Sequence, residues 1–359
     1  MPRAYADMSA LISQKLQDTT PTEFTAASIN FQIEECLKEI SARQPHIVPV
    51  VFNIESRHGQ ATSTSTSNLV DATKAQFLAT DPTDEKVVYN YTDHTWATII
   101  SQSSTSQVGL SADIMASGDT YFIFNKRCRN NKQLYMGGSF DPYTAIRAEY
   151  PCNCWPRNWR NVKVIEQDIL ELILDIEPDD SDSTLSNLGR TEVLVEFKRP
   201  HVLSQLTDWV GELTADAVAG ATTINVDGLG ASETIEEGEE FHLENHRTLY
   251  TVTADTTLTS GGVGTSLAFF PGLEAASSDN DDITFVKSTL SPTLEGILAD
   301  LCVGYLLVDQ APKYFKTIGA GGNKQWQTLL DMGERKLGIA LARLSRDTPR
   351  ITKRSYHSE

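Results

Sequence analysis

EVLVEFKRPHVLSQ, residues 192–205, reads as a β-strand that stops abruptly. Val193, Val195 and Phe197 alternate with Leu194, Glu196 and Lys198, the period-two pattern of a strand with one buried face. Pro200 ends the ladder because proline has no N–H to donate. The next helical pattern opens only near Ser291, and residues 206–289 are short-stranded, acidic and rich in turns. Without them the strand would run straight into that helix. The stretch therefore reads as a β-module set into a loop of a host, where insertions cost little stability.

Outward from the strand, the host is helical at both chain ends. Tyr5, Met8, Leu11, Ile12 and Leu16 form one stripe at helical spacing, broken by DTTPTE (18–23). Ile29, Ile33, Cys36, Leu37 and Ile40 form a second, with Thr25 as N-cap and Pro45 just beyond its end. Ser291-Pro292 is an N-cap and first-turn pair that opens a third stripe: Leu294, Ile297, Leu298, Leu301, Tyr305 and Val308. After APKYFKTIGAGG a long last helix carries Trp326, Leu330, Gly333, Leu337, Ala340 and Leu344, and Pro349 forbids its continuation.

Between the helix pairs the period is two. IVPVVFNIE (47–55) is a strand, and the Ser/Thr-rich QATSTSTSN (60–68) reads as a linker or a crossing into a separate module. KVVYN, HTWATII, SQVGLS and DTYFIFN follow, spaced as in a small β-barrel or sandwich. NKQLYMGG, TAIRAEYP, WRNVKVIEQ and ILELILDIE read as a resumed main β-layer. The second module has TTINVDG, EEFHLEN, TLYTVTA, TSLAFFPG and DDITFVK as its strands. The expected organisation is α+β. Residues 1–55, 126–205 and 290–347 make the host of helices and β-layer, 56–125 and 206–289 make two inserted β-barrel or sandwich modules, and 348–359 form a flexible basic tail.

The chain has 359 residues and a net charge of −18. Residues 205–290 hold 15 acids against two bases, whereas 291–359 hold seven acids and ten bases. So acidic a chain is a poor candidate for gripping nucleic acid, whose phosphates need a basic surface. No apolar run approaches the roughly 20 residues of a membrane span, and the amphipathic N-terminus has no signal-peptide core, so a soluble, non-secreted chain is expected. Five scattered cysteines fit reduced thiols better than a disulfide framework.

Catalytic and metal motifs are incomplete. His242 and His246 lie four apart, as on a zinc helix, but alternation through Phe241 and Leu243 puts them on a strand and turn. Cys152-Asn153-Cys154 has no second pair and reads as a structural turn. Gly319–Lys324 (GAGGNK) lacks the Ser/Thr ending and the preceding strand of a phosphate loop, and reads as a hinge. Asp279, Asp281 and Asp282 lack the glycine and terminal Glu of a calcium loop. His201 reads as a strand-end residue bonded to backbone. No nucleophile–base arrangement emerges from the spacing, so neither enzymatic activity nor a cofactor is expected.

The helix pair around QDTTPTEFT and INFQIEECLKEIS is similar to the opening of many head-to-tail adaptor proteins of tailed bacteriophages, also called connector or head completion proteins. The strand ending in Lys-Arg-Pro-His resembles that family too, as do the helix LEGILADLCVGYLLVDQA and the long terminal helix NKQWQTLLDMGERKLGIALARLSR with its basic tail. The segments TTINVDG, LYTVTAD, LAFFPGL and DDITF, and likewise LVDATKAQFL with VVYNYTDHTWATI, look like β-modules common in phage structural proteins. Two large β-insertions depart from the plain adaptor layout.

The resemblance implies a virion protein at the capsid vertex, assembled in the host cytoplasm. Most often twelve copies form a ring under the portal, present a platform to a tail or neck protein and continue the DNA channel without sequence-specific contact. Twelve copies at −18 would carry on the order of −200 charges, a surface along which DNA slides. The resemblance further implies that the tail after the last helix reaches a neighbouring subunit or the portal, with Arg350, Lys353, Arg354 and Tyr356 as interface candidates. Two alternatives stand beside it. One is another phage tail component: a tail terminator, baseplate or fibre-attachment protein. The other is a carbohydrate-binding β-module using Trp96, Trp155 or Trp159 as stacking platforms, although a lone Trp in such a module is usually core.

Overall fold

The computed structural model describes residues 2–20, 23–137, 141–152, 156–174, 192–314 and 325–346. The chain is α+β, with helices at both ends and antiparallel β-structure between them. α1 (Tyr5–Leu16) buries Met8 and Ile12, and α2 (Ala26–Arg43) buries Ile29, Ile33, Cys36 and Ile40. Thr25 caps α2, its Oγ1 accepting from the Ser28 N–H at 3.2 Å.

β1 (His46–Asn53) leads into β2 (His58–Gln60), β3 (Ser63–Ser65), β4 (Asn68–Val70), β5 (Val87–Asn90), β6 (Thr95–Ser104), β7 (Gln107–Leu110) and β8 (Thr120–Phe124). Strands β2 to β8 form one sheet in the order β2-β8-β5-β6-β7-β4-β3. Its two end strands are consecutive in the chain. The Ala61 N–H bonds the Asp119 carbonyl at 2.9 Å, and the next residue, Thr62, bonds the Val70 carbonyl at 2.7 Å. The sheet therefore curls until both edges share a single stretch of backbone, around a core of Leu69, Phe77, Val88, Ile99, Val108, Tyr121 and Ile123. The Ser/Thr run expected to be a linker is this closing stretch. Its composition misled because an edge-closing strand with little buried area needs no large apolar residues, and Thr is itself a good strand former.

β9 (Gln133–Tyr135), β10 (Ala145–Glu149), β11 (Trp159–Arg160), β12 (Val162–Glu166), β13 (Ile169–Leu172) and β14 (Glu192–Arg199) follow. They make two sheets instead of the one expected layer: β1-β14-β10-β11 and β12-β13-β9. β14 buries Val193, Val195 and Phe197 and stops at the residue before Pro200.

β15 (Val210–Leu213), β16 (Thr223–Asp227), β17 (Thr234–Ile235), β18 (Glu240–Leu243), β19 (Tyr250–Val252), β20 (Thr256–Thr257), β21 (Gly264–Phe270) and β22 (Asp282–Phe285) build the acidic module. Six of them close a barrel, β15-β16-β21-β19-β18-β22, while β17 and β20 pair separately. Phe241 sits at its centre, with Tyr250, Phe269 and Phe285 ring centroids 5.4–5.5 Å away. The sequence pattern missed β15. This strand depends on Gly211, where an added Cβ would stand 2.3 Å from the Asp227 carbonyl oxygen. The two ends of the module adjoin: Leu203 bridges Ser288, and the Ser204 N–H bonds the Lys287 carbonyl at 3.0 Å.

α3 (Pro292–Tyr314) and α4 (Gln325–Arg346) complete the chain. α3 runs through Pro312, which the sequence reading placed in the following loop; in the last turn the missing N–H removes only one helical bond. Among the described residues no helix is long and apolar enough to cross a membrane.

Contacts divide the chain into two compact units, 1–46 with 199–359, and 47–198. In the first, Met8, Ile12, Ile33 and Ile40 join Leu298, Leu301, Cys302, Ala340 and Leu344 in one helical core. The expected host placed 126–205 with the helices. The pairing of β1 and β10 with β14 instead gathers those strands into the same unit as the first module.

Candidate interaction surfaces

The outer face of the β2–β8 sheet carries a row of aromatic side chains in direct register. Trp96 on β6 lies opposite Tyr89 on β5, Tyr89 opposite Phe122 on β8, and Phe122 opposite His58 on β2. The Trp96 and Tyr89 rings stack with centroids 4.2 Å apart, and His58 stacks on Phe122 at 5.6 Å. Tyr91 meets Phe122 edge-on at 5.9 Å. The Tyr89 hydroxyl is within 2.7 Å of His94 Nδ1. Alternation explains the placement, since Val88, Tyr121 and Ile123 point into the module and their neighbours point out. Part of the row is covered, for Phe124 packs with Cys128 and Ile169. Tyr91 and Trp96 remain 57% and 43% exposed.

Beside Trp96 lies a recess of about 440 Å³ lined by Val87, Trp96, Arg127, Cys128 and Arg129. Arg127 is held by Asp168 and by Glu166, the latter at 3.3 Å, and Arg129 reaches Glu166 at 3.7 Å. Burial pushes the Cys128 thiol up to about 12, so it is no nucleophile at neutral pH.

The helical unit exposes several apolar side chains. Phe31 on α2 is 63% exposed, and Met332 and Ile339 on α4, seven residues apart on one face, are 51% and 47% exposed. Val308, Ala311, Pro312, Trp326 and Leu330 line an apolar recess of about 370 Å³ between α3 and α4.

A polar cluster fastens the barrel to the helices within the same unit. The His201 N–H donates to Ser41 Oγ at 2.9 Å, and the ring nitrogens lie 3.0 Å from the Gln44 carbonyl and 3.1 Å from Thr289 Oγ1. Burial, with His46 nearby, lowers the His201 pKa to about 4. His46 Nε2 meets Glu240 Oε1 at 2.7 Å. Glu239 is 1% exposed; Ser204 Oγ donates to its Oε2 at 3.2 Å, and its Oε1 has no hydrogen-bond partner among the described residues. Burial raises its pKa to about 7.

Arg350, Lys353, Arg354 and Tyr356 lie outside the described residues, as do Gly319–Lys324, Cys154 and Trp155. His242 pairs with Thr284 in the barrel wall, whereas His246 lies between Tyr250 OH and Ser277 Oγ, so the two share no ligand position. Asp281 accepts from the Ser278 N–H in a turn, and Asp216 accepts from the Asp279 N–H. Trp159 is covered by the Arg147 guanidinium at 3.7 Å. Among the described residues no group of three His, Cys, Asp or Glu could hold a metal ion. Trp96 stands out in the sequence as a candidate, whereas Tyr89, Tyr91, Phe122, Arg127 and Arg129 do not. Alternation in VVYNY and TYFIFN signals an aromatic outer face, but only strand register brings the rings together. Comparison of the chain with protein-family models, with curated proteins and with solved structures returns no match.

Proposed function

We propose that this chain is a head-to-tail adaptor of a tailed bacteriophage, forming a ring below the portal that joins the capsid vertex to the tail or neck. The observation that carries the reading is the helical unit. Helices from the two chain ends, separated by most of the sequence, close one core and leave Phe31, Met332 and Ile339 outward. Such a unit is suited to repeated lateral contacts between copies, as in a heterologous ring. The closed barrel emerges from adjoining backbone at Leu203 and Ser288, so it decorates the helical unit without interrupting it. In this reading the protein acts by binding and positioning: it performs no catalysis, needs no cofactor, and its acidic surface lets genomic DNA pass. Native mass spectrometry and negative-stain microscopy of the purified protein, alone and mixed with portal-bearing, tail-less heads, test the proposal. Rings that bind the vertex are expected. A monomer that never associates with heads at any concentration would remove the reading.

A further inference from the structure

We propose that the recess beside Trp96 is a binding site for a neutral saccharide unit, with one pyranose face stacked on the indole and ring hydroxyls held by Arg127 and Arg129. A pyranose has an apolar C–H face and a polar hydroxyl edge. A site for it needs an aromatic wall beside hydrogen-bond donors. The recess supplies both.

Trp96 ends the aromatic row, backed by Tyr89 at 4.2 Å, and the Tyr89 hydroxyl is itself anchored at His94. A wall fixed in this way loses little freedom when a ligand stacks on it. Glu166 and Asp168 hold the guanidinium of Arg127, and Glu166 reaches that of Arg129. Each guanidinium has five N–H donors, so Arg127 is oriented by its two carboxylates with donors left over, while the exposed Arg129, 3.7 Å from Glu166, keeps its donors for a ligand. Each arginine already faces a carboxylate, Arg127 both Glu166 and Asp168 and Arg129 Glu166, which favours a polyol over a phosphate or carboxylate ligand. The volume of about 440 Å³ falls within the range of small-ligand sites, roughly 300–1,000 Å³. With the Cys128 thiol protonated, the recess holds no activated nucleophile, so binding and not turnover is the expected outcome.

The test uses the full chain. Saturation-transfer NMR and tryptophan fluorescence are recorded against methyl α-glucopyranoside, methyl α-mannopyranoside, N-acetylglucosamine and cellotetraose, with a glycan array for breadth. At least one saccharide should give a saturable signal. Trp96→Ala should weaken it about tenfold or more, Trp96→Phe should keep most of it, and Trp159→Phe should leave it unchanged. Arg129→Gln, at a side chain 76% exposed, should weaken it several-fold without affecting folding, and so stands in if Trp96→Ala melts early. Silence across the array and the titrations overturns the proposal, as does binding that survives both Trp96→Ala and Arg129→Gln. Loss of assembly in Trp96→Ala with no saccharide signal would also overturn it, marking the surface as a protein contact. Ring formation, scored on the same samples, reports separately on the adaptor reading.

Discussion

Gly333 of α4 lies directly against Gly304 of α3: a Cβ added at Gly333 would stand 2.9 Å from the Gly304 carbonyl oxygen and 3.1 Å from the Val308 nitrogen. The Val308 side chain is nearer still, at 2.7 Å, but the helix backbone behind it cannot rotate aside. Gly333→Ala should therefore destabilise the helical unit by about 1–3 kcal/mol, despite the gain of about 1 kcal/mol in helix propensity. Gly304→Ala meets mainly the Leu337 side chain, at 2.7 Å, with the Leu337 nitrogen farther off at 3.2 Å, and should cost less than Gly333→Ala. Thermal melts followed at a helical wavelength check both; a rise in Tm for either would show that the helices can separate at no cost.

How much of this was legible in the sequence depends on what fixed each feature. Alternation at Val193, Val195 and Phe197, the stop at Pro200 and the caps at Thr25 and Ser291 are local signals, and the structure follows them. The Ser63–Ser65 strand is a hairpin edge built from small polar residues, and β15 is held in part by the distant β22 around Gly211, so neither carries a clear pattern of its own. Glu240 illustrates the same limit. Alternation with Phe241 and Leu243 places it outside the barrel, which reads as solvent, yet that face meets His46 and buries the acid. The aromatic row was half visible: its outward phase could be read, but not its register.

Glu239 makes stability depend on pH. Its folded pKa, raised by burial from an ordinary 4.5 to about 7, means the native state holds this proton more tightly than the unfolded chain does. The penalty is absent below 4.5, grows as pH rises through this window and is complete above 7. Glu239→Gln should therefore match the parent at pH 4.5 and exceed it by about 2–3 kcal/mol at pH 8. Urea unfolding at the two pH values measures the gap, and an equal gap at both would assign the effect to packing.

His201 works in the opposite direction. Its pKa falls from 6.5 to about 4, chiefly by burial, so folding opposes its protonation. Stability from this group is complete above 6.5 and is lost as pH falls toward 4. Selective labelling of histidine and NMR titration should find one ring with a midpoint near 4, absent in His201→Asn. A midpoint near 6.5 for that ring would mean that water reaches it.

The barrel should be removable, provided the junction is kept. Thr289 Oγ1 accepts from the Val202 N–H at 2.9 Å and contacts His201, so Thr289 belongs to the helical unit. Replacing residues 206–286 by a short Gly/Ser linker preserves the Leu203–Ser288 bridge and needs to span little distance. The remaining helical unit should melt cooperatively, at a lower Tm because the Glu240–His46 contact is gone. Loss of near-UV circular dichroism would show that the barrel is part of the helical core.

Ring assembly, if the adaptor reading holds, should depend on the outward apolar residues of the helical unit. A single exposed apolar side chain is ordinary on any surface. Met332 and Ile339, however, repeat at seven residues on the outer face of α4, an apolar recess lined by Trp326 and Leu330 lies between α3 and α4, and Phe31 adds an exposed ring on α2. A heterologous ring needs two different complementary patches on each copy, and a projecting ring with an apolar recess meets that requirement. Phe31→Glu and Ile339→Glu lie on solvent-facing positions, so each should change folding stability by less than about 0.5 kcal/mol. A carboxylate buried in an apolar contact without a partner is strongly disfavoured, so either variant should shift the protein from rings to monomers. Pairing each melt with native mass spectrometry separates the two effects. Rings of unchanged size in both variants would place the subunit contacts elsewhere on the molecule, and monomers with collapsed Tm would show that these residues support the fold itself.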